Sequence, residues 1–156
     1  TSLGVEFGPD FGRLQRGETV AGVRPEQVVG EPRAGRKLAI SGDTAPCETL
    51  AIAAHGADLL IHEATFGEAE HERAAQTGHS TAAQAAQVAC DADVRLLALT
   101  HVSARYAGGE LRDEARAVFP DTELPRDFDT IEIPFAERGA PRLIRNGDAP
   151  APAPAA

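Results

Sequence analysis

Lysine is almost missing from this chain. Of its 15 basic side chains 14 are arginine, and 24 acidic residues outnumber them to give a net charge of −9. A free-standing nucleic-acid binder makes its phosphate contacts chiefly through Lys and Arg, so this balance argues against one. It leaves room for a metalloenzyme that holds nucleic acid through a local basic patch and its metals, because a bound cation is itself a large local charge. The scarcity of lysine beside many Ala, Arg, Asp and Glu residues suggests a GC-rich or salt-adapted source. Methionine is absent altogether. Thr1 is a residue behind which an initiator methionine can be removed, so the absence permits truncation without requiring it. There are two cysteines, Cys47 and Cys90, and they lack the CxxC spacing of zinc knuckles and redox motifs. A pair of unrelated buried thiols is expected rather than a disulfide. No stretch approaches the roughly 18 apolar residues of a membrane span, and no charged-then-apolar leader is visible. These absences give the expectation of a soluble, cytoplasmic protein with no membrane partner.

The 156 residues are 42% hydrophobic, enough for one domain with a buried core. From Thr1 to Gly17 the glycines Gly4, Gly8, Gly12 and Gly17 and Pro9 surround Phe7, Phe11 and Leu14. That composition predicts an irregular arm with a few apolar anchors, without helix or strand. Arg24 to Lys37 is loop-like, broken by Pro25, Pro32 and Gly35. Leu38–Ile40 is the first core strand, stopped by the turn Ser41-Gly42-Asp43-Thr44. Pro46 and Glu48 open a helix over 48–54. A second strand over 58–61 ends at His62-Glu63, and a polar stretch from Gly67 to Gly78 follows. Ser80 and Thr81 supply hydroxyl N-caps for a helix reaching Cys90. A third strand over 95–99 ends at Thr100-His101, a helix covers 111–118, and closing strands fall at 131–135 and 143–144. The Ala/Pro tail from Ala149 reads as disordered. Alternating short apolar strands and helices predict an α/β layered domain with a largely buried sheet, and no internal repeat is present.

Three of the strands end in polar residues: Asp43 after the first, His62-Glu63 after the second and His101 after the third. Ligands of α/β sheets gather at the carboxyl ends of strands, so the repeated placement points to a shared site. His79, beside a helix N-cap, is a further candidate, since the free N–H groups of a helix N-terminus favour phosphate. Carboxylate oxygen and imidazole nitrogen together suit a borderline divalent metal such as zinc. Each residue also has a plainer reading. Asp43 fits a turn or cap residue, His101 a hydrogen-bonded core histidine, Glu63 a strand-end charge and His79 a cap neighbour. His55 and His71 read as surface residues.

Four segments, taken in order and at their spacing, resemble ribonuclease Z, a family of the metallo-β-lactamase superfamily. They are Ser41-Gly42-Asp43-Thr44, His62-Glu63-Ala64-Thr65, Gly78-His79-Ser80-Thr81 and Leu99-Thr100-His101-Val102-Ser103-Ala104-Arg105-Tyr106. Residues 8–17 are similar to the end of that family's protruding arm. The resemblance runs from about Gly4 to Phe135. It implies one half of an αββα sandwich, a mixed sheet with covering helices. The arm and linker would occupy residues 1–36, the C-terminal half-domain 37–146 and the disordered tail 147–156.

The same resemblance implies that Asp43 bridges two zinc ions and that His101 is a ligand on one of them. Glu63 would orient His79 beside the scissile phosphate, and His79 would pass a proton to the leaving ribose oxygen. Arg105 would touch the RNA backbone, while Gly8 and Pro9 would belong to the arm that holds the tRNA elbow. The family's HxHxDH motif and an additional histidine preceding it are not in this sequence, where no two histidines lie two apart. Asp43 and His101 alone are too few to hold two zincs, so the expectation is a half-enzyme. It would be inactive without an N-terminal half bearing HxHxDH. A bare half would also expose a sheet face and aggregate or dimerise; the intact enzyme would be a homodimer that removes 3′ trailers from precursor tRNA. The alternatives are a fragment of another metallo-β-lactamase-fold hydrolase, acting on a small ester or thioester, and a non-catalytic binding or scaffold half-domain.

Overall fold

The computed structural model describes residues 5, 8–28, 30 and 34–148. The expected tail from Ala149 lies outside the described residues. The chain divides into two compact units, Thr1–Ala34 and Gly35–Ala156.

The first unit corrects the expectation of an arm without secondary structure. Pro9–Gln15 is a helix (α1), with Pro9 in its first turn and Asp10 beside it. Proline is tolerated there because the first helical N–H groups have no intrahelical acceptor in any case. Leu14, fully buried, packs with Val5, Val20 and Val23 in a small apolar cluster. A tight bridge between Val20 and Val23 follows α1, and Pro25–Gln27 forms a single 3-10 turn.

The second unit contains a parallel sheet of four strands: β1 (Leu38–Ile40), β2 (Leu59–Glu63), β3 (Leu97–Thr100) and β4 (Thr122–Glu123), in the order β1-β2-β3-β4. A separate ribbon of β5 (Thr130–Glu132) and β6 (Arg142–Ile144) is antiparallel. Between strands run α2 (Glu48–Ala54), α3 (His71–Thr77), α4 (Ala82–Asp91) and α5 (Gly108–Val118). The stretch 67–78, expected to be polar loop, is instead a 3-10 turn at Glu68–Glu70 continuing into α3. Ala74 is the one residue α3 buries, and Gly78 closes it at φ 74°, a left-handed conformation that glycine adopts without Cβ strain.

Alternation along β2 sends Leu60 and Ala64 to one face of the sheet and Leu59 and Ile61 to the other. The first face is covered by helices. α4 lies on β2 and β3, with α5 and α2 against it. Its buried stripe is Ala82, Ala85, Ala86, Val88 and Ala89, small side chains that let the helix approach Leu60, Leu97 and Leu99. The opposite face, with Leu59, Leu96 and Ala98, is met in part by Ile131 and Ile133, while Leu38 and Ile40 of β1 stay 52% and 67% exposed. Among the described residues no helix is long and apolar enough to cross a membrane. Cys47 and Cys90 are both free and, contrary to expectation, exposed. Cys47 precedes the first turn of α2 and Cys90 falls outside the buried stripe of α4.

The N-terminus of α4 is closed by a reciprocal pair: Thr81 Oγ1 accepts from the Gln84 N–H at 3.2 Å, and Gln84 Oε1 accepts from the Thr81 N–H at 2.9 Å. Such caps are each worth on the order of 1 kcal/mol. Thr81→Ala also removes the hydroxyl that donates to Glu68 Oε2 at 2.9 Å. A loss of about 1–2 kcal/mol is therefore expected in urea unfolding, with Thr81→Ser recovering most of it; an unchanged midpoint for the alanine variant contradicts the assignment.

Candidate metal and catalytic site

Parallel register brings the carboxyl ends of β1, β2 and β3 side by side, Ile40 opposite Ile61 and Glu63 opposite Thr100. The chain beyond each strand end therefore enters one cleft. Asp43 arrives on the turn after β1, with Gly42 at φ 63° making that turn possible. His101 follows β3 and itself adopts φ 53°. Few residues other than glycine do so, and such strain is held where the surroundings fix a side chain. His79 comes from the connection between α3 and α4.

Glu63 organises the cleft. It is fully buried, yet five donors converge on its carboxylate. Oε1 accepts from the Thr44 N–H at 3.1 Å, the Ser80 N–H at 3.1 Å and His79 Nδ1 at 2.8 Å. Oε2 accepts from the Thr65 N–H at 3.0 Å and the Thr65 hydroxyl at 2.8 Å. Burial by itself pushes the Glu63 carboxyl up, but the hydrogen bonds from Thr65, Thr44 and His79 together outweigh it and hold the group below its ordinary value. The preceding residue, His62, is also fully buried. Its Nδ1–H donates to the Glu63 carbonyl at 2.7 Å, and Nε2 has no hydrogen-bond partner. Burial pushes the His62 imidazole down, so the ring is held neutral.

Thr65 Oγ1 also lies 2.8 Å from His101 Nδ1 and 3.2 Å from His79 Nδ1. The two imidazoles stack with centroids 5.2 Å apart and an interplanar angle of 22°. Asp43 Oδ1 is 3.6 Å from His101 Nδ1. One donor atom from each of Asp43, His79 and His101 falls within 4.8 Å of the others. Asp43 and His101 remain half-exposed or more, His79 is 21% exposed, and Glu63 lies beneath them. An open group of two imidazoles and a carboxylate offers a divalent metal three ligands and leaves room for substrate.

The residues singled out from the sequence are thus Asp43, Glu63, His79 and His101 in one cleft. Arg105 sits at its side, with Nη1 3.3 Å from Glu70 and its guanidinium 5.5 Å from the Phe66 ring centre. Gly8 and Pro9 start α1 in the first unit. His55 and His71 are exposed as expected. Sequence reasoning gave no role to Thr65, although its hydroxyl touches Glu63 and both histidines. The signal was its place two residues after Glu63, in a motif already noted. Phe66, Glu70 and Arg73 carried no signal of their own.

Residues 10–102 match the family model described as beta-lactamase superfamily domain. The chain belongs to that superfamily. It is 48% identical over 142 residues to a protein named ribonuclease Z from Gemmatimonas aurantiaca, covering 86% of this chain and 45% of the relative. A solved structure of human tRNase Z, short form, is similar with TM-score 0.52 and 35% identity, over 64% of this chain and 34% of the other. A metallo-beta-lactamase fold protein from Bacillus subtilis, YhfI, superposes with TM-score 0.53 and 26% identity, over 56% of this chain and 35% of that one. The resemblance to ribonuclease Z and the α/β fold of the superfamily both hold. This superfamily member spans less than half the length of the curated relative it matches.

Proposed function

We propose that this chain is the C-terminal half of a zinc-dependent endoribonuclease that removes 3′ trailers from precursor tRNA by metal-assisted phosphodiester hydrolysis. The observation that carries the reading is the convergence of Asp43, His79 and His101 within 4.8 Å, in a chain so similar to ribonuclease Z. Nitrogen and oxygen donors of this kind fit zinc. Asp43 and His101 would hold it, with the remaining ligands from an N-terminal half bearing HxHxDH. Zinc there supplies Lewis acidity toward a phosphoryl oxygen and makes water a nucleophile at neutral pH.

The chain's own residues account for orientation and proton transfer. Glu63 fixes the His79 ring through Nδ1, so the proton given to the leaving ribose oxygen comes from Nε2. Arg105 contacts the RNA backbone, and Gly8 and Pro9 belong to the arm that holds the tRNA elbow. The exposed Leu38 and Ile40 supply an apolar face for the missing half, and the chain alone is inactive for want of ligands. The intact enzyme is read as a cytoplasmic homodimer.

Zinc content and cleavage of a precursor tRNA, measured for this chain alone and mixed with an N-terminal half bearing HxHxDH, test the reading together. Both are expected only in the mixture, and Asp43→Ala is expected to abolish both. A mixture that binds no zinc and cuts no tRNA removes the catalytic reading and leaves a binding module.

A further inference from the structure

Beside His79 the chain gathers two arginines around one aromatic ring. Phe66, 4% exposed, meets the His79 ring edge-on at 6.1 Å. The guanidinium of Arg73, from α3, lies 5.9 Å from the Phe66 centroid, and that of Arg105 lies 5.5 Å from it. Both distances are within the range where a cation is drawn to an aromatic face. Glu70 ties the pair together. Its Oε1 is 3.5 Å from Arg73 Nη1 and 3.3 Å from Arg105 Nη1, while Oε2 accepts the Tyr106 hydroxyl.

Within this group one carboxylate, Glu70, serves two guanidiniums. It is fully committed as their counter-charge. The Tyr106 hydrogen bond, and then the two arginines, hold its carboxyl below the ordinary value against the opposing effect of desolvation. The arginines are not used up: each guanidinium has five N–H donors. Arg73 makes a single long contact to Glu70 and Arg105 adds one to Ser103. Their side chains remain 57% and 46% exposed. Planar donors that are held by a ring and a carboxylate but not saturated are suited to a phosphodiester, which accepts two parallel N–H bonds.

We propose that Arg73 and Arg105 form a clamp for an RNA phosphate adjoining the scissile one, with Phe66 as its floor and Glu70 as the tether that pre-positions both guanidiniums. This rests on the nuclease reading above for the identity of the scissile phosphate. Arg73 is the new element, a substrate-binding residue on a helix whose sequence gave no sign of a role. Pre-positioning matters because a side chain already held in its binding conformation loses less freedom when the phosphate arrives.

Fluorescence anisotropy of a labelled RNA minihelix with a 3′ trailer, titrated with this chain over a series of KCl concentrations, tests the clamp. Arg73→Ala is expected to weaken binding about fivefold to tenfold and to reduce the salt slope by about 1. Arg73→Lys, which keeps the charge and loses the planar fork, is expected to lie between the two. Arg142→Ala is the control. It removes the same charge from β6, where Arg142 pairs with Glu132, and is expected to change affinity less than twofold. Three outcomes overturn the clamp: no RNA binding at the lowest salt, Arg73→Ala within twofold of the parent, or an equal loss in Arg142→Ala. Cleavage of the same RNA, in the mixture with the HxHxDH half, reports separately on the nuclease reading. Arg73-dependent binding without cleavage removes that reading and keeps the phosphate clamp.

Discussion

Glu63→Gln is expected to destabilise the chain by about 3–5 kcal/mol at pH 7, the cost typical of removing one partner from a buried charged network. The substitution nearly conserves shape, so the loss has to come from hydrogen bonding. All five groups that meet the carboxylate act as donors to it: the N–H groups of Thr44, Thr65 and Ser80, the Thr65 hydroxyl and His79 Nδ1. A glutamine turns one of the two acceptors into a donor. If its NH₂ takes the place of Oε1, it faces two backbone N–H groups and an imidazole. If it takes the place of Oε2, it faces the Thr65 N–H and a hydroxyl that can rotate to accept. The second arrangement costs less but still leaves a buried N–H opposed, and an unmet buried donor costs about 1–3 kcal/mol. Glu63→Ala leaves every donor unmet, and Glu63→Asp keeps the charge with a shorter reach.

The same network sets a pH dependence. The folded carboxyl is held below its ordinary value of 4.5. Its contribution is therefore fully present above that value and is lost as pH falls through the lower, folded-state pKa. Urea midpoints measured from pH 7 downward should show a loss in the parent that is missing in Glu63→Gln. A glutamine variant within about 1 kcal/mol of the parent at pH 7 contradicts the central place given to Glu63.

Where a segment buries an apolar stripe or ends at a strong breaker, its structure was legible in the sequence. Leu38–Ile40 and Glu48–Ala54 fall within the expected bounds, because the Ser-Gly turn and the proline before α2 punctuate them. Helix α3 was not legible, since it buries only Ala74 and so presents no hydrophobic period to read. Its one sign was Gly78 as a closing residue. Helix α1 was hidden in the same way: Leu14 is its single buried residue and glycines surround it. Strand β4, at two residues, is too short to carry a pattern.

The cleft was more legible than the elements around it. Asp43 and His101 follow, and Glu63 ends, three apolar strands that have to lie side by side once the sheet is parallel, and His79 stands next to a hydroxyl cap. Phe66, Glu70 and Arg73 acquire their relation to His79 only when the connection between β2 and α4 folds back on itself, Phe66 bridging to Thr81 and the His79 N–H reaching the Ala74 carbonyl. No spacing along the chain encodes that contact. The resemblance implies a proton donor at His79, and the geometry adds a second chemistry, that of a ligand: its Nδ1 is bound to Glu63 at 2.8 Å, while one of its donor atoms lies in the group with Asp43 and His101.

His79→Ala, in the mixture with the HxHxDH half, separates the two. As the general acid, His79 is expected to contribute about 10²–10⁴-fold to turnover, and its loss should leave zinc content unchanged. The decisive substrate carries sulfur in place of the leaving 3′ oxygen. A thiol is far more acidic than an alcohol, so the sulfur departs without taking a proton and the need for an acid disappears. The alanine variant should then recover most of its deficit on that substrate, while the parent gains little relative to it. Zinc that falls in step with activity, with no recovery on the sulfur substrate, makes His79 a ligand instead. In that case Glu63, bound to Nδ1, would act by fixing the ring and raising its basicity toward the metal. Either result uses the same hydrogen bond, and the two differ only in what Nε2 meets.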